Sequence, residues 1–348
     1  MRIYIYRGGE RLVDKSGVGQ AIRHQEACLR RAGIATTDRW TADASAIHVN
    51  TVLPDSVAAA LAARLRGRKV IWYGHSTMED FRNSFRGSNL LAPLFRRWIT
   101  FCYGLGDVVL TPSEYARDLL EGYGLKRPVY NISNGVDTSY FRPDLSLRAS
   151  FRKRYGLGEG EQCVISVGHT IARKGLPEFL ELAGRMPDVR FLWFGWTDPR
   201  LLPAEIRQAM ETAPANVRFP GFVDRERLRE AYCGADVFAF LSREETEGIV
   251  VLEALACGIP TVVRDIPVYH SWLKHGENIY KSSNLDEFQQ IVMGLLDHSL
   301  PDLTPAGRKV AEARSLEAVG ERLREIYQKE QILPASRPSL PKRHVGAL

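Results

Sequence analysis

The chain has little cysteine and no long apolar run. Its five cysteines are scattered over 348 residues without a C-x-x-C pair, which is typical of reduced thiols rather than of a disulfide framework or a zinc site. No apolar stretch reaches the roughly 18–20 residues that a membrane-spanning helix needs, and the apolar core of MRIYIYRGGER is too short for a signal peptide. We therefore expect a cytoplasmic protein that is soluble or peripheral to a membrane.

The length and the charge distribution are more informative than the overall composition. Hydrophobic residues make up 45% and charged residues 25%, which are ordinary globular values. A chain of 348 residues exceeds the roughly 250–300 that a single core usually serves, so two domains are expected. The formal net charge of +6 falls entirely within residues 1–145. This asymmetry indicates an anionic partner for the first half, either nucleic acid or a lipid surface.

Short strand patterns alternate with helix patterns along the chain, and the alternation restarts after NGVDTSYFRPD. This arrangement predicts an α/β fold of two tandem Rossmann-like domains that face each other across a cleft. A ligand is then expected in the cleft, at the carboxyl ends of the strands. The predicted boundaries are residues 1–145, residues 146–304, a C-terminal helix over 305–330 that packs back on the first domain, and a flexible tail over 331–348.

One carboxylate lies inside an apolar helix pattern. It is Glu253, in the segment REETEGIVVLEALACGIP at residues 243–260, and a buried carboxylate costs several kcal/mol unless a partner hydrogen-bonds or neutralises it. A ribose cis-diol can donate two hydrogen bonds to such a group, and Glu245 can accept bonds from the hydroxyls of a sugar. We interpret Glu244 as a solvated loop residue. Free N–H groups at the helix start can bind sugar or phosphate oxygens at Gly248, Ile249 and Val250. Together these features indicate a nucleotide sugar.

Two glycine-bearing loops are candidates for a diphosphate. In SVGHTIARKG, Gly168 allows close approach, and Arg173 with Lys174 stands at a helix N-terminus, where two cations are unfavourable unless an anion is present; a solvated charged turn is the alternative. In KSGVGQAI, Gly17 and Gly19 can present backbone N–H groups to a phosphate. That loop lacks the third glycine of a dinucleotide fingerprint, so it predicts a nicotinamide site only weakly. A simple strand-to-helix turn remains the alternative there.

The combination of KSGVG, SNGVDTSYF, SVGHTIARKG and EETEGIVVLEALACGIP resembles the family 4 retaining glycosyltransferases of the glycosyltransferase B fold, over about residues 1–330. The resemblance implies that the second domain binds the nucleotide sugar and that the first faces the acceptor. It also implies these roles: the donor hexose for Glu245, the ribose for Glu253, the diphosphate for Lys174, the β-phosphate for Gly17 and Gly19, the reacting centre for His75, and the uracil for Phe222 and Val223.

The sequence departs from the pattern of this family at two positions. His169 stands where the family usually has an arginine, so one diphosphate cation is missing, and Arg173 is the candidate to replace it. Glu247 stands where an aromatic residue usually precedes the glycine of the E-x(7)-E motif, which predicts an altered donor pocket. Both departures point to a subfamily.

Residues 73–101 combine apolar side chains with arginines. This mixture suits a surface that dips into a lipid interface and holds anionic headgroups. No helix-turn-helix or RNA-binding signature is present, so nucleic acid is not expected as a partner, and an ordinary core helix with arginines on its wet side is the alternative. HSTMEDFRNSFRGSN with EETEGIVV resembles bacterial glycolipid synthases that glycosylate diacylglycerol or glucosyl-diacylglycerol. The predicted membrane or acceptor residues are Phe81, Arg82, Phe85, Arg86, Phe95, Arg96, Arg97 and Trp98.

The reaction implied by the resemblance is transfer of glucose or galactose from UDP-glucose or UDP-galactose to a lipid acceptor, with retention at the anomeric carbon. No D-x-D motif occurs in the chain, so no cofactor or metal is expected, and cationic side chains with helix N-termini would stabilise the departing UDP. The alternatives are a soluble, polysaccharide or undecaprenyl-linked acceptor, a nicotinamide dehydrogenase, and a non-catalytic nucleotide-sugar or membrane-binding protein. The expected location is the inner face of the cell membrane.

Overall fold

The computed structural model describes residues 2–8 and 17–334. In the first part of the chain the strands are β1 (Arg2–Tyr6), β2 (Thr36–Thr37), β3 (Ala44–Val49), β4 (Lys69–Tyr73), β5 (Val108–Thr111) and β6 (Val129–Asn131). The helices there are α1 (Gly17–Arg31), α2 (Pro54–Leu65), α3 (Met78–Phe81), α4 (Ser88–Gly104) and α5 (Glu114–Gly122).

The second part of the chain repeats the alternation. Its strands are β7 (Cys163–Val167), β8 (Arg190–Phe194), β9 (Val217–Gly221), β10 (Val237–Phe240), β11 (Thr261–Arg264) and β12 (Tyr280–Ser282). Its helices are α6 (Ser146–Tyr155), α7 (Leu176–Arg185), α8 (Ala204–Glu211), α9 (Arg225–Gly234), α10 (Ile249–Cys257), α11 (Leu285–Leu296), α12 (Thr304–Glu312) and α13 (Leu316–Lys329). The strands β2 and β12 and the helices α6 and α11 were not predicted. The two strands have only two and three residues and carry too little pattern to recognise.

Two parallel six-stranded sheets form the framework, with the orders β2-β1-β3-β4-β5-β6 and β12-β11-β10-β7-β8-β9. The buried side chains alternate between the two faces of each sheet, as the period of a strand requires. In β4, Ile71 and Tyr73 belong to the cluster under α1 and α13, whereas Val70 and Trp72 belong to the cluster under α2 and α4. The predicted α/β fold of two Rossmann-like units is confirmed.

The helices begin where the sequence supplies a cap. The side chains of Ser113, Asp224, Asn284 and Ser315 each accept a hydrogen bond from a backbone N–H in the first turn of α5, α9, α11 and α13, which satisfies one of the donors that a helix start leaves open. The helices α7 and α10 instead follow Gly175 and Gly248, both in the left-handed region at φ +80 and +91. A side chain at Gly175 would lie 2.2 Å from the carbonyl oxygen of Leu241. Gly175 thus lets the start of α7 approach the end of β10, and Gly248 lets the start of α10 approach the Tyr269 hydroxyl, which a Cβ atom would meet at 2.8 Å.

The C-terminal segment differs from the single helix expected over residues 305–330. It forms α12, which packs on α10, and α13, which packs on α1 of the first half. The break comes at Ser315, whose side chain caps α13, and there the N–H of Val136 donates to the carbonyl of Arg314. The tail also begins later than residue 331, since Ile332 is 2% exposed in the core beside α13. Residues 335–348 of the predicted tail lie outside the described residues.

Candidate functional site

The candidate site lies at the carboxyl edge of the second sheet, between β7 and β10. These strands are neighbours, but the chain continues from β7 to β8 on one side and from β10 to β11 on the other. Such a switch in direction opens a crevice at the strand ends, where doubly wound folds bind ligands. The loop after β7 carries Gly168 to Lys174, and the loop after β10 carries Glu244 to Gly248. Both loops hold residues predicted from the sequence.

Lys174 and Glu245 form a buried ion pair. The Nζ atom of Lys174 lies 2.5 Å from Oε1 of Glu245, and their side chains are 15% and 8% exposed. Burial raises the pKa of Glu245, but the charges of Lys174 and Arg173 outweigh that effect and hold its pKa below the usual value. The Lys174 ammonium also lies 5.8 Å from the centre of the Phe240 ring. An ionised carboxylate and an ammonium group are therefore both held at the mouth of the crevice.

Glu253 has a partner within the protein. The hydroxyl of Tyr232, on α9, donates to its Oε2 atom over 3.1 Å, and the carboxyl is 3% exposed. Burial raises the pKa of Glu253 to about 7, although Tyr232 and Arg225 act in the opposite direction. A group that donates hydrogen bonds to this carboxylate, such as a diol, would favour the ionised form. The predicted role in holding a ribose stays a prediction.

Glu247 binds the segment that connects the two halves of the chain. Its Oε2 atom accepts hydrogen bonds from the backbone N–H and the side-chain amide of Asn134, at 2.9 and 2.7 Å. Burial raises the pKa of Glu247 against the effect of these bonds, and the side chain is 2% exposed. Asn134 belongs to the SNGVD motif, so the structure places Glu247 against this hinge. The altered donor pocket stays a prediction.

Glu244 was interpreted as a solvated loop residue, and this interpretation is wrong. The side chain is only partly exposed, and its Oε1 atom is buried. Burial raises the pKa of Glu244 to about 7, with further increases from the charges of Asp80, Glu245 and Glu79, while the Tyr115 hydroxyl acts in the opposite direction. Glu79, Asp80 and Tyr115 come from the first half of the chain. The loop after β10 is therefore packed against that half.

Arg173 contacts both halves of the molecule. Its Nη1 atom lies 2.7 Å from Oδ1 of Asp80 and donates to the carbonyl of Glu244 over 2.8 Å, and its Nε atom donates to Oγ of Ser84 over 3.0 Å. The guanidinium group is thus engaged by protein partners. Arg173 was the candidate to replace the diphosphate-binding arginine that the family usually has at the position of His169. This role stays a prediction, and the contacts of Arg173 give no argument in its favour.

His169 is held at the other side of the crevice. Its Nδ1 atom lies 3.0 Å from the carbonyl oxygen of Trp196. Burial and then the charge of Lys174 lower the pKa of His169, so the imidazole is neutral at physiological pH. Gly168 lies against the Lys174 side chain, where a Cβ atom would meet Cγ at 3.5 Å. Because the His169 ring is neutral, it adds no positive charge beside Lys174. The cation of this loop that points at Glu245 is therefore Lys174.

His75 is buried at the carboxyl end of β4. Its ring stacks on Tyr73 with centroids 4.2 Å apart, and its Nε2 atom lies 3.1 Å from Oδ1 of Asn50 and 3.4 Å from Nε2 of Gln25. Burial, with a contribution from His48, lowers the pKa of His75 to about 3. The ring is therefore neutral, and its Nε2 atom donates to Oδ1 of Asn50 in one tautomer or accepts from Nε2 of Gln25 in the other. This suits orienting a substrate better than removing a proton.

The remaining predicted donor residues lie in loops and first helical turns that follow strands of the two sheets. Gly17 is exposed at the start of α1 and Gly19 is buried two residues further on, while Lys15 and Ser16 of the same loop lie outside the described residues. Phe222, which follows β9, is 54% exposed, and Val223 is partly buried against the core of the second half. Ile249 and Val250 form the first turn of α10 and are partly exposed.

The apolar and basic segment divides into an inner and an outer face. Phe81 stacks on Phe95 at 4.1 Å, the Trp98 indole donates to the carbonyl of Val52 over 2.6 Å, and Arg96 lies over the ring of Tyr123 at 4.7 Å. These four predicted membrane residues are partly buried, so assigning them to a membrane-facing surface needs correction. Exposed positions among those predicted are Arg82, Phe85, Arg86 and Arg97.

The outer face of α4 carries further apolar residues of the segment that was predicted to meet a lipid interface. Leu90, Leu91, Leu94 and Phe101 are 86%, 48%, 66% and 52% exposed. Leu90, Leu94 and Phe101 follow a helical repeat and share one side of α4 with Arg97. We refer to Leu90, Leu91, Leu94, Arg97 and Phe101 as the α4 outer face. Helical periodicity shows which residues share a side, but not whether that side meets the core.

Sequence reasoning missed the partners of the predicted residues. Asn50 and Gln25 hold His75, Asp80 and Ser84 hold Arg173, and Tyr232 holds Glu253. Only the placement of Asn50 directly after a buried strand gave a signal. Within residues 2–8 and 17–334, no group of three or more His, Cys, Asp or Glu side chains is arranged to hold a metal ion. None of the helices in those ranges is long and apolar enough to cross a membrane.

Comparisons with known proteins agree with this geometry. The model for glycosyl transferases group 1 matches residues 148–309, and that for glycosyltransferase family 4 matches residues 20–140. The chain is 36% identical over 330 residues to the processive diacylglycerol alpha-glucosyltransferase of Acholeplasma laidlawii, covering 94% of this chain and 98% of that protein. It is 25% identical to the alpha-galactosylglucosyldiacylglycerol synthase of Streptococcus pneumoniae, covering 96% and 91%.

A solved structure shares the fold. Anabaena HepE, in complex with UDP and glucose, superposes with a TM-score of 0.73 at 16% identity, covering 94% of this chain and 100% of that chain. Two parallel six-stranded sheets with flanking helices, in two doubly wound units, form the glycosyltransferase B fold. The chain belongs to the family 4 glycosyltransferases and resembles the bacterial enzymes that glycosylate diacylglycerol.

Glu253→Gln is expected to change the pH dependence of stability. The pKa of Glu253 is raised from 4.5 to about 7 in the folded protein. The free energy of unfolding of the wild type therefore falls as the pH rises from the pKa of the unfolded state through that of the folded state. The glutamine variant does not titrate. Its unfolding free energy relative to wild type should therefore improve between about pH 5 and pH 8, by on the order of 3 kcal/mol. Denaturant unfolding at both pH values measures this, with the exposed Glu159→Gln as the control, and a pH-independent difference would contradict it.

Proposed function

We propose that this glycosyltransferase transfers glucose or galactose from a UDP-sugar to a membrane lipid such as diacylglycerol or glucosyl-diacylglycerol, as a peripheral protein on the cytoplasmic face of the membrane. The Lys174–Glu245 pair at the mouth of the crevice is the observation that carries the donor part of this proposal. The names of the relatives support a diacylglycerol-based acceptor. The UDP and glucose in the complex of a protein with the same fold support the donor class.

Donor binding is an exchange of partners in this proposal. The diphosphate takes over the Lys174 ammonium from Glu245, and hydroxyls of the hexose donate to the carboxylate that the lysine releases. The N-terminus of α7 adds its partial positive charge at the same edge. Because Glu245 is ionised, it accepts hydrogen bonds strongly. Both charges are thereby satisfied before and after the donor binds.

In this proposal Lys174 and the helix N-termini stabilise the leaving UDP. Positive groups fixed in a protected crevice act more strongly on developing charge than they would in water. Since the chain has no D-x-D motif, we propose that the reaction needs no metal ion. We also propose retention of configuration, as in the family that the sequence resembles, with the neutral His75 orienting the hexose.

The α4 outer face supports the lipid acceptor over a soluble or polysaccharide acceptor. It exposes three leucines and a phenylalanine close to Arg82, Arg86 and Arg97. Apolar side chains bordered by arginines match the interface of a membrane that contains anionic lipid. A soluble acceptor would give no reason for such an exposed apolar surface.

Mass spectrometry of lipid products tests the function directly. UDP-glucose and UDP-galactose are each incubated with vesicles that contain diacylglycerol or glucosyl-diacylglycerol, in the presence and absence of EDTA. We expect a glycolipid one hexose heavier from at least one pair, with the yield unchanged by EDTA. Complete loss in EDTA with recovery on adding a divalent ion would contradict metal independence. Absence of any lipid product would contradict the lipid acceptor.

Lys174→Met should lower turnover by about one to three orders of magnitude, since it removes charge that stabilises the leaving group. It should also destabilise the fold by about 3–5 kcal/mol, because Glu245 loses its buried partner. Adding Glu245→Gln removes the uncompensated charge, so the double variant should recover most of the melting temperature but not the turnover. Recovery of turnover together with stability would contradict the catalytic role of Lys174.

Leu90→Ser with Leu94→Ser should weaken binding to vesicles of phosphatidylglycerol, because each exposed leucine contributes roughly 25 cal/mol per Å² that it buries in the interface. Adding Arg97→Glu should weaken binding further, by about 1 kcal/mol that fades with salt. Sedimentation with vesicles measures both effects. Leu145→Ser is the matched control, since Leu145 and Leu90 are each 86% exposed. Wild-type sedimentation of the triple variant would contradict the membrane role of the α4 outer face.

A further inference from the structure

A network centred on Arg173 joins the segment before α4 to the loop after β10. The guanidinium group of Arg173 bonds Asp80 and Ser84 on one side and the carbonyl of Glu244 on the other. The carbonyl of Arg173 itself accepts from the N–H of Arg243 over 2.8 Å. The side chains of Arg173 and Asp80 are 9% and 28% exposed. A single arginine thus fixes the loop that carries Glu245.

The same network reaches the α4 outer face through rigid contacts. Asp80 lies in α3, and Phe81 next to it stacks on Phe95 of α4 at 4.1 Å. Asn83 and Asn89 exchange two hydrogen bonds, at 2.9 and 2.8 Å, which tie the start of α4 to the α3 segment. Movement of α4 therefore moves Asp80 with it.

The catalytic pair lies at the other end of the network. Lys174 follows Arg173 directly, and Glu245 follows Glu244, whose carbonyl Arg173 holds. The ion pair of Arg173 with Asp80 is largely removed from water. Such a pair gives little net stability, because the cost of desolvation offsets the attraction. Its geometric effect is larger, since losing Asp80 would leave the Arg173 guanidinium without its carboxylate and uncouple the loop that carries Glu244 from α3. The Arg173–Asp80 pair is therefore suited to linking the position of α3 to that of the donor loop rather than to stabilising the fold.

We propose that Asp80 and Ser84 are positioning residues that act through Arg173, so that docking of α4 on a membrane repositions the loop from residue 242 to residue 247 and strengthens donor binding. This inference rests on the proposed membrane-bound lipid acceptor. The lipid surface and the nucleotide then reinforce each other's binding, because coupling between two sites is reciprocal. Donor binding would be tight only where acceptor is present.

Binding of UDP with and without vesicles of phosphatidylglycerol tests the coupling without requiring the hexose or acceptor to be known. For the wild type we expect vesicles to raise the affinity for UDP by roughly 5- to 150-fold, the usual range of coupling between sites. Asp80→Asn keeps the shape of the side chain but removes its charge, and it should abolish most of this gain. Its affinity for UDP without vesicles should stay within about twofold of wild type. Asp80→Glu should restore part of the gain.

Asp118→Asn is the matched control. Asp118 is exposed on α5 and its carboxylate accepts from Arg117 within the first half of the molecule, so this variant should respond to vesicles as the wild type does. The proposal is overturned if Asp80→Asn keeps the full gain, or if it loses UDP affinity equally with and without vesicles. It is also overturned if vesicles that sediment the wild type leave its UDP affinity unchanged. A retained gain without any glycolipid product would instead contradict the lipid acceptor alone.

Discussion

Burying carboxylates near the cleft is the constraint on which the rest of the structure depends. Each carboxylate between residues 244 and 253 is removed from most of the solvent, and an uncompensated charge there would cost several kcal/mol. The fold supplies a different partner for three of the four: Lys174 for Glu245, the hinge residue Asn134 for Glu247, and Tyr232 for Glu253. Because these partners lie on separate elements, one short loop organises most of the site.

The hinge shows how this constraint fixes the arrangement of the two halves. Asn134 is held by Glu247, and Gly135, at φ +77, accepts from Nδ1 of His24 on α1 over 2.7 Å. The next residue, Val136, bonds the chain just before α13. The connection therefore forms hydrogen bonds with α1 of the first half, with the donor loop and with the C-terminal segment just before α13. A structural change at the site would therefore reach the segment where the two halves join.

The raised pKa values of Glu244, Glu247 and Glu253 mark the places where this arrangement costs stability. Burial raises the pKa of Glu253 and of Glu244 to about 7, and neither carboxylate forms an ion pair among the described residues. Glu245, with Lys174 beside it, stays ionised. Three glutamates within ten residues thus differ in charge state because their neighbours differ, and a donor that supplies hydroxyl groups interacts with each in a different way.

The sequence by itself determined the two Rossmann-like units, since their strand and helix periods are local properties of the chain, and it singled out Glu253, since a carboxylate in an apolar helix demands a partner. Only the tertiary structure decided who that partner is, because Tyr232 lies 21 positions away and no local pattern links them. The same holds for Glu244, which composition marks as solvated and packing buries against the first half. It holds for α4 as well: the repeat of Leu90, Leu94 and Phe101 is written in the sequence, but the side of the helix that faces water depends on where the sheet and α2 lie.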